Sequence, residues 1–199
     1  MTAITQPELK SLCVFCGSSS GVEPAFRDSA GRLGASMAER GISLVYGGGH
    51  IGLMGALAEA VIEGGGRVVG VIPEHLMRME VAYLEIHELI VVDSMHTRKR
   101  RMFDAADGFV VLPGGLGTMD EAFEILTWKQ LRLHNKPVIV VNQNGYWDDW
   151  VRLVENIVTQ GFAHPEITRL FTVVDDVDQV IDAARDELSL SSGAESQLF

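Results

Sequence analysis

The chain has 199 residues and a formal net charge of −11, with 16 Lys and Arg against 27 Asp and Glu. Its 47% hydrophobic and 22% charged residues are typical of a globular protein and exclude global disorder. The acidity argues against a nucleic-acid partner, because phosphates are neutralised by surplus Lys and Arg. No apolar run approaches the roughly 18 residues of a membrane span, so no membrane partner is expected.

Seven short apolar runs alternate with longer segments of helical periodicity. Being nearly continuous in Val, Ile and Leu, the runs are typical of strands buried on both faces of a parallel sheet. They are Leu12–Phe15, Leu44–Tyr46, Val68–Ile72, Leu89–Val92, Phe109–Leu112, Val138–Val141 and Phe171–Val174. The predicted helices are Pro24–Arg40, Gly52–Glu63, Met95–Ala106, Thr118–Leu133, Trp147–Gln160 and Asp176–Glu187. This alternation predicts an α/β fold, a single-domain Rossmann-like doubly wound parallel sheet of about seven strands with helices on both faces.

The organisation of the chain is simple. No internal repeat or linker is visible, so residues 1–189 are predicted to form one domain, and the Ser-rich residues 190–199 a disordered tail. Residues 171–199 hold more than half of the net negative charge, which leaves the rest of the chain compatible with a local pocket for an anion. The N-terminus has no basic region followed by an apolar core, so no secretory signal is predicted and a cytoplasmic location is expected.

Glycine clusters follow three of the predicted strands, at residues 16–21, 47–52 and 113–118. Ligands of open parallel sheets bind beyond the carboxyl ends of the strands. Glycine lets backbone N–H groups approach a ligand closely, and the N-terminus of a following helix favours an anion. Three such loops predict a ligand that carries phosphate, although each cluster alone also fits a tight turn between strand and helix.

Other cofactor and metal signals are weak. Gly47, Gly49 and Gly52 match a dinucleotide-binding fingerprint, with Glu74 as a candidate ribose-binding acid, but they follow the second strand, whereas the usual place is the first. A nicotinamide or flavin cofactor therefore remains a lesser alternative, and no cofactor is predicted. The sequence contains no Gly-Lys-Ser/Thr of a Walker A loop, and the six histidines lack the paired spacing of a zinc site, so no metal is predicted.

Residues 95–102 concentrate four basic side chains. On a helix Arg98 shares a face with Met95, so it is predicted to point inward, while Arg100 and Arg101 face solvent. An inward guanidinium can bind a phosphate or a carboxylate with two hydrogen bonds. The alternative is a solvated basic patch.

Thr118 and Glu121 have the spacing of a capping box, in which Thr118 caps a helix and Glu121 bonds back to it. This is the favoured interpretation of Glu121 from local sequence alone. The same position also keeps its carboxylate beside the predicted phosphate loop, where it could activate water or stabilise a cationic transition state.

The combination of Pro113-Gly114-Gly115-x-Gly117-Thr118-x-x-Glu121 with Gly47-Gly48-Gly49 and Arg98-Lys99 resembles the Lonely Guy (LOG) family of phosphoribohydrolases. The resemblance runs from about Leu12 to Phe162 and includes residues 14–19, 45–49 and 52–55. Members of this family were formerly labelled lysine decarboxylases. That label finds no support in the sequence, since none of the four lysines has an evident pyridoxal-phosphate context.

The resemblance implies hydrolysis of the N-glycosidic bond of cytokinin riboside 5′-monophosphates (N6-substituted AMP) and of AMP, to a free base and ribose 5-phosphate. It assigns catalysis to Arg98 and Glu121. It assigns substrate contacts to Gly17, Ser18, Gly48, Glu80, Met95, Arg98, Lys99, Gly115, Leu116, Gly117, Thr118 and Thr127. It also implies a homodimer or higher homo-oligomer, with Trp128 and Leu131 as candidate subunit contacts.

Two other functions fit the same residues. One is a nucleosidase of AMP or another nucleotide that is unrelated to cytokinins. The other is a non-catalytic nucleotide or cofactor carrier, such as the molybdenum-cofactor carrier proteins.

Cys13 and Cys16 formally match a redox motif but fall within a predicted strand, where residues three apart point to opposite faces. They are predicted to be small core residues. Trp147 and Trp150 are likewise predicted to pack, or to serve an interface, and not to stack on a base.

Overall fold

A computed structural model describes residues 8–77 and 82–195 of the chain. Within these residues seven parallel strands form one sheet with the order β4-β3-β2-β1-β5-β6-β7. The strands are β1 (Ser11–Phe15), β2 (Ser43–Tyr46), β3 (Val68–Pro73), β4 (Glu88–Val92), β5 (Gly108–Val111), β6 (Val138–Val141) and β7 (Thr172–Val174). Every predicted run lies within one residue of a strand at each end, which confirms the doubly wound α/β class.

The order of the strands reverses between β1 and β5. The chain builds outward from β1 through β2 and β3 to β4, and then returns to pair β5 with the other side of β1. The loops after β1 and β5 therefore diverge to opposite sides of the sheet. Such a switch point opens a crevice at the carboxyl ends of the strands, where ligands of this fold class bind.

Six α-helices cover the described part of the sheet, three on each face. They are α1 (Pro24–Glu39), α2 (Gly52–Glu63), α3 (Met95–Ala105), α4 (Leu116–Gln130), α5 (Asp148–Thr159) and α6 (Val180–Glu195). The helices α1, α2 and α6 share one apolar core with side chains such as Val14, Tyr46 and Val141. The helices α3, α4 and α5 share the other core with Phe15, Phe109 and Val140. No helix among the described residues is both long enough and apolar enough to cross a membrane.

The ends of two helices differ from the sequence prediction. The helix α4 begins at Leu116 and ends at Gln130, because Arg132 adopts a φ of 58° that a continuing helix cannot accommodate. The helix α6 continues to Glu195, eight residues beyond the predicted end at Glu187 and into the predicted tail. Ser and Ala in this segment do not oppose a helix, and Leu188 packs against the core. Residues 196–199 lie outside the described residues, and the disordered tail stays a prediction there.

The two cysteines and two of the tryptophans are core residues, as predicted. Cys13 lies in the core under α3, α4 and α5, whereas Cys16 lies in the opposite core, and neither forms a disulfide bond. Burial and the nearby Glu121 carboxylate raise the pKa of the Cys13 thiol well above its usual value, which keeps it protonated and unreactive. Trp147 and Trp150 are each 4% exposed and pack edge to face against one another.

Candidate active site

A cavity of about 390 Å³ lies at the carboxyl ends of β1, β2 and β5, beside the switch point. It gathers most of the predicted site residues, which come from three separate parts of the chain. These are Gly17, Ser18, Met95, Arg98, Glu121 and the run 115–118. The floor is apolar, because Val14 and Phe15 end β1 directly beneath it.

Arg98 occupies the first turn of α3, which Ser94 caps by accepting a hydrogen bond from the backbone N–H of Thr97 at 3.2 Å. Its side chain is buried, as its helical position predicted, while Arg100 and Arg101 on the same helix are exposed. Nε donates to the carbonyl oxygen of Val71 at 3.0 Å and Nη2 to the carbonyl oxygen of Gly47 at 2.9 Å. Two main-chain oxygens at the ends of neighbouring strands thus fix the guanidinium plane.

Glu121 lies in the second turn of α4 and faces Arg98 across the cavity. Its Oε1 atom is 4.0 Å from Nη1 of Arg98, and the two side chains are only 11% and 5% exposed. With Nε and Nη2 directed at carbonyl oxygens, Nη1 is the guanidinium nitrogen that lies next to the carboxylate. The geometry therefore holds a carboxylate and a permanent positive charge together at the closed end of the cavity.

The N-terminus of α4, about one helical turn before Glu121, also lines the cavity. Gly115 stands at the N-cap in an extended conformation, and the first hydrogen bond of the helix joins the N–H of Met119 to the carbonyl oxygen of Gly115 at 3.1 Å. The N–H groups of residues 116–118 consequently have no acceptor within the helix. Such a helix start favours an anion.

The predicted capping box is wrong. No side chain caps α4, and Thr118 lies inside the first turn with 4% exposure. The helix begins three residues earlier than the capping pattern requires, because residues 116–118 already adopt helical geometry. Glu121 is thereby released from capping and placed in the cavity.

The loop before α4 is held from both sides of the switch point. The backbone N–H of Gly17 donates to the carbonyl oxygen of Pro113 at 3.0 Å. The hydroxyl of Tyr146, which precedes α5, donates to the carbonyl oxygen of Gly114 at 2.8 Å. These two bonds fix the loop whose end presents the free N–H groups.

Three predicted site residues lie away from this cavity. Lys99 forms ion pairs of 3.1 Å with both Asp120 and Glu124 of α4. Burial opposes the charge of Lys99, but the two carboxylates outweigh it and raise the pKa of the ammonium group above its ordinary value. Lys99 thus links α3 to α4.

Thr127 and Gly48 also face elsewhere. The Thr127 hydroxyl donates to the carbonyl oxygen of Phe123 at 2.7 Å, and its side chain lines a separate cavity of about 250 Å³ between α4 and α5. Gly48, with a φ of 78°, packs toward Ile72 and Leu89 of β3 and β4. The remaining predicted contact, Glu80, lies outside the described residues.

Sequence reasoning missed six residues that line the cavity, namely Val14, Phe15, Cys16, Gly47, Met54 and Leu76. The position of Gly47 at the end of β2 could have indicated that it lines the cavity. The glycine cluster at residues 47–52 was instead interpreted as a phosphate-binding loop. Met54 follows Gly52, whose φ of 68° lets α2 approach the backbone of Ser18 and Ser19 closely. Close packing, and not only ligand contact, therefore accounts for this second glycine cluster.

The chain is similar to known proteins over most of its length. A family model described as "Possible lysine decarboxylase" matches residues 54–184. The chain is 42% identical over 177 residues to the cytokinin riboside 5′-monophosphate phosphoribohydrolase LOG7 of Arabidopsis thaliana. This alignment covers 89% of this chain and 82% of LOG7. A second relative is the cytokinin riboside 5′-monophosphate phosphoribohydrolase LOG of Oryza sativa subsp. japonica, to which the chain is 44% identical over 161 residues. That alignment covers 81% of this chain and 66% of LOG.

A solved structure shares the fold. The molybdenum cofactor carrier protein of Chlamydomonas reinhardtii superposes with a TM-score of 0.68 at 19% identity, over 92% of this chain and 99% of the carrier. That likeness establishes a common architecture only. With the family model matched at residues 54–184 and relatives 42% and 44% identical, the chain belongs to the Lonely Guy (LOG) family.

Proposed function

We propose that this protein is an N-glycosyl hydrolase that acts on cytokinin riboside 5′-monophosphates and on AMP in the cytoplasm. The products are the free base and ribose 5-phosphate. The observation that carries the proposal is the pair of Arg98 and Glu121, 4.0 Å apart and 5% and 11% exposed, which lines one cavity together with the open N-terminus of α4. The names of the relatives LOG7 and LOG state this activity for those proteins.

The 5′-phosphate binds at the N-terminus of α4 in this account. The N–H groups of residues 116–118 supply hydrogen bonds without a side-chain charge, and the helix dipole adds a favourable field. Gly115 and Gly117 leave this approach open, since a Cβ atom on either would meet no other atom within 4 Å. A nucleoside without phosphate loses this anchor.

Glu121 is the residue that promotes cleavage of the glycosidic bond. Cleavage of a glycosidic bond builds oxocarbenium character on the ribose, and a carboxylate beside the ring stabilises that charge. The same carboxylate orients or deprotonates the attacking water on the sugar face opposite the base. Its position in the second turn of α4 places it one helical turn from the phosphate anchor, which suits the short distance from a 5′-phosphate to C1′ of one ribose.

Arg98 positions the carboxylate and binds the sugar. An arginine side chain carries a permanent positive charge, so Arg98 does not act as a proton donor. Nε and Nη2 are held by the carbonyl oxygens of Val71 and Gly47. Nη1, which lies 3.8 Å from Sδ of Met95 and 4.0 Å from Glu121, orients the carboxylate and donates to a ribose hydroxyl when substrate binds. In this geometry the 5′-phosphate binds at the N-terminus of α4, and the Arg98 guanidinium binds the ribose.

We also propose that the protein works as a homodimer or higher oligomer. Leu131 and Leu133, directly after α4, are 63% and 66% exposed, and Phe162 near the cavity beside Thr127 is 86% exposed. A second copy of the chain would remove this apolar surface from water. Light scattering coupled to gel filtration tests this part, and a monomer at micromolar concentration would contradict it.

The substrate experiment compares kcat/KM for isopentenyl-AMP, AMP, GMP, CMP and adenosine with purified protein. Free base and ribose 5-phosphate are quantified by chromatography. The proposal predicts turnover of isopentenyl-AMP and AMP and loss of activity on adenosine, which lacks the phosphate. Equal turnover of adenosine and AMP would contradict the assigned phosphate site, and tight AMP binding without turnover would indicate a carrier.

A further inference from the structure

The geometry points to Gly47 as a positioning residue for Arg98, an inference that rests on the proposed hydrolase function. Gly47 ends β2 and lines the cavity. Its carbonyl oxygen accepts a 2.9 Å hydrogen bond from Nη2 of Arg98. We propose that the missing side chain of Gly47 forms the slot in which the guanidinium lies, so that its role is to place Arg98 against Glu121.

The space beside Gly47 is filled by the arginine itself. A Cβ atom added to Gly47 would overlap Nη2 of Arg98 and lie 3.3 Å from its Cζ, with Met54 Sδ at 3.2 Å. The two nearest side chains are thus the guanidinium and a flexible thioether. Even the smallest side chain at position 47 competes with the guanidinium for the same volume.

The backbone of Gly47 does not itself require glycine. Gly47 is absent from the six glycines of the described chain that have a positive φ, whereas its neighbour Gly48 has a φ of 78°. An alanine is therefore compatible with the conformation at position 47. The constraint there comes from the side chains that fill the space beside it, chiefly the Arg98 guanidinium and also Sδ of Met54, which distinguishes Gly47 from a turn glycine and from a phosphate-loop glycine.

The cost of a side chain at position 47 falls on activity more than on the fold. The colliding atoms are the far end of a long side chain, which can move without disturbing the sheet. The guanidinium has only one well-bonded position, between the carbonyl oxygens of Val71 and Gly47. Moving it breaks at least one of these bonds and shifts Nη1 away from Glu121, and misplacement of a reacting group by about 1 Å can cost about 100-fold in rate.

A double-mutant cycle tests this inference. The proteins are the wild type, Gly47→Ala, Arg98→Ala and the double variant, and the readout is kcat for AMP. We expect Gly47→Ala to lower kcat about 100-fold in the wild-type background. In the Arg98→Ala background it should change kcat by less than about twofold, because the atoms it displaces are already gone.

The control is Gly31→Ala, on α1, where an added Cβ atom meets nothing within 4 Å. It should match the wild type in kcat, and its thermal midpoint should be equal or slightly higher, because alanine favours a helix more than glycine does. Near-wild-type kcat for Gly47→Ala would overturn the inference. An equal loss of kcat in both Arg98 backgrounds would also overturn it, since Gly47 would then act on something other than the guanidinium.

The unfolding midpoint provides a readout that does not depend on activity. Gly47→Ala should lower the midpoint when Arg98 is present and leave it unchanged when Arg98 is alanine. If Gly47→Ala fails to fold, restored folding in the double variant supports the inference, and continued failure overturns it. A wild type without AMP hydrolysis would refute the proposed function, while the midpoint cycle would still decide the role of Gly47.

Discussion

Charged side chains form hydrogen bonds or ion pairs at both edges of the sheet, but in different surroundings. At the carboxyl edge, Arg98 and Glu121 meet across a cavity of about 390 Å³. At the amino edge, Oδ2 of Asp107 accepts hydrogen bonds from the backbone N–H groups of Lys10 and Ser11 and from the Ser11 hydroxyl, at 2.9 to 3.0 Å. Nearby, Nζ of Lys136 donates to the carbonyl oxygen of Phe103 at 2.7 Å and lies 4.1 Å from its ring centroid.

The comparison distinguishes charged groups that stabilise the fold from charged groups that can act on a ligand. A partly buried charge whose hydrogen bonds join two strands, as those of Asp107 join the start of β5 to the start of β1, stabilises the fold. A buried charge that faces open volume can act on a ligand. Substitutions at the carboxyl edge should therefore remove activity and spare stability, and those at the amino edge should do the reverse.

The largest effect is expected for Arg98→Ala. Loss of the guanidinium removes the group that orients Glu121 and binds the sugar, so kcat/KM for AMP should fall by at least about 100-fold. Steady-state adenine release measures this. Arg101→Ala is the matched control, since Arg101 is an exposed arginine of the same helix and should keep wild-type activity. Normal activity of Arg98→Ala would contradict the claim that charged groups at the carboxyl edge serve catalysis.

Asp107→Ala should have the opposite profile. It removes three hydrogen bonds to a carboxylate, and the free energy of unfolding should fall by about 3 kcal/mol while kcat at low temperature stays unchanged. Urea denaturation gives the stability. As a control, Asp104→Ala removes only an exposed ion pair with Arg100 and should cost less than about 1 kcal/mol. A catalytic defect in folded Asp107→Ala would contradict the assignment.

Tyr146→Phe should produce a smaller change at the carboxyl edge. It deletes the hydroxyl that holds the carbonyl oxygen of Gly114, a neutral bond of 2.8 Å that contributes about 1 kcal/mol. The phosphate loop becomes less ordered, so KM for AMP should rise about fivefold with kcat nearly unchanged. Initial-rate kinetics separate the two parameters, and a fall in kcat alone would assign Tyr146 a different role.

The smallest effect concerns pH at the amino edge. Burial lowers the pKa of His134 below its ordinary value of 6.5, so the unfolded chain takes up this proton at a higher pH than the folded chain. Stability is therefore lost as the pH falls below about 6.5 and through the folded pKa. His134→Gln removes this dependence. Urea midpoints from pH 8 to pH 5 should fall less for the variant, and parallel curves would contradict the prediction.

The fold was predictable because each strand is an almost uninterrupted run of apolar residues in the sequence. The run Val138–Val141 is fully buried on both faces, so its four apolar residues in succession leave little choice of structure. The inward position of Arg98 followed in the same way from helical periodicity. These features depend on neighbours in sequence, which a single chain displays directly.

The details of the site were less predictable, because they depend on contacts between distant segments. Thr118 and Glu121 satisfy a capping pattern locally, yet α4 begins at Leu116. Lys99 looks like a free cation in sequence, but Asp120 and Glu124 approach it from another helix. The space beside Gly47 becomes apparent only when Arg98, 51 residues later, fills it.

The most direct test of the central claim is product analysis with AMP for the wild type and Glu121→Gln. Glu155→Gln, at an exposed position of α5, serves as the control. The account predicts equal amounts of adenine and ribose 5-phosphate from the wild type, and at least about 100-fold lower kcat for folded Glu121→Gln. Wild-type rates from Glu121→Gln, or adenosine and phosphate as the products, would contradict it.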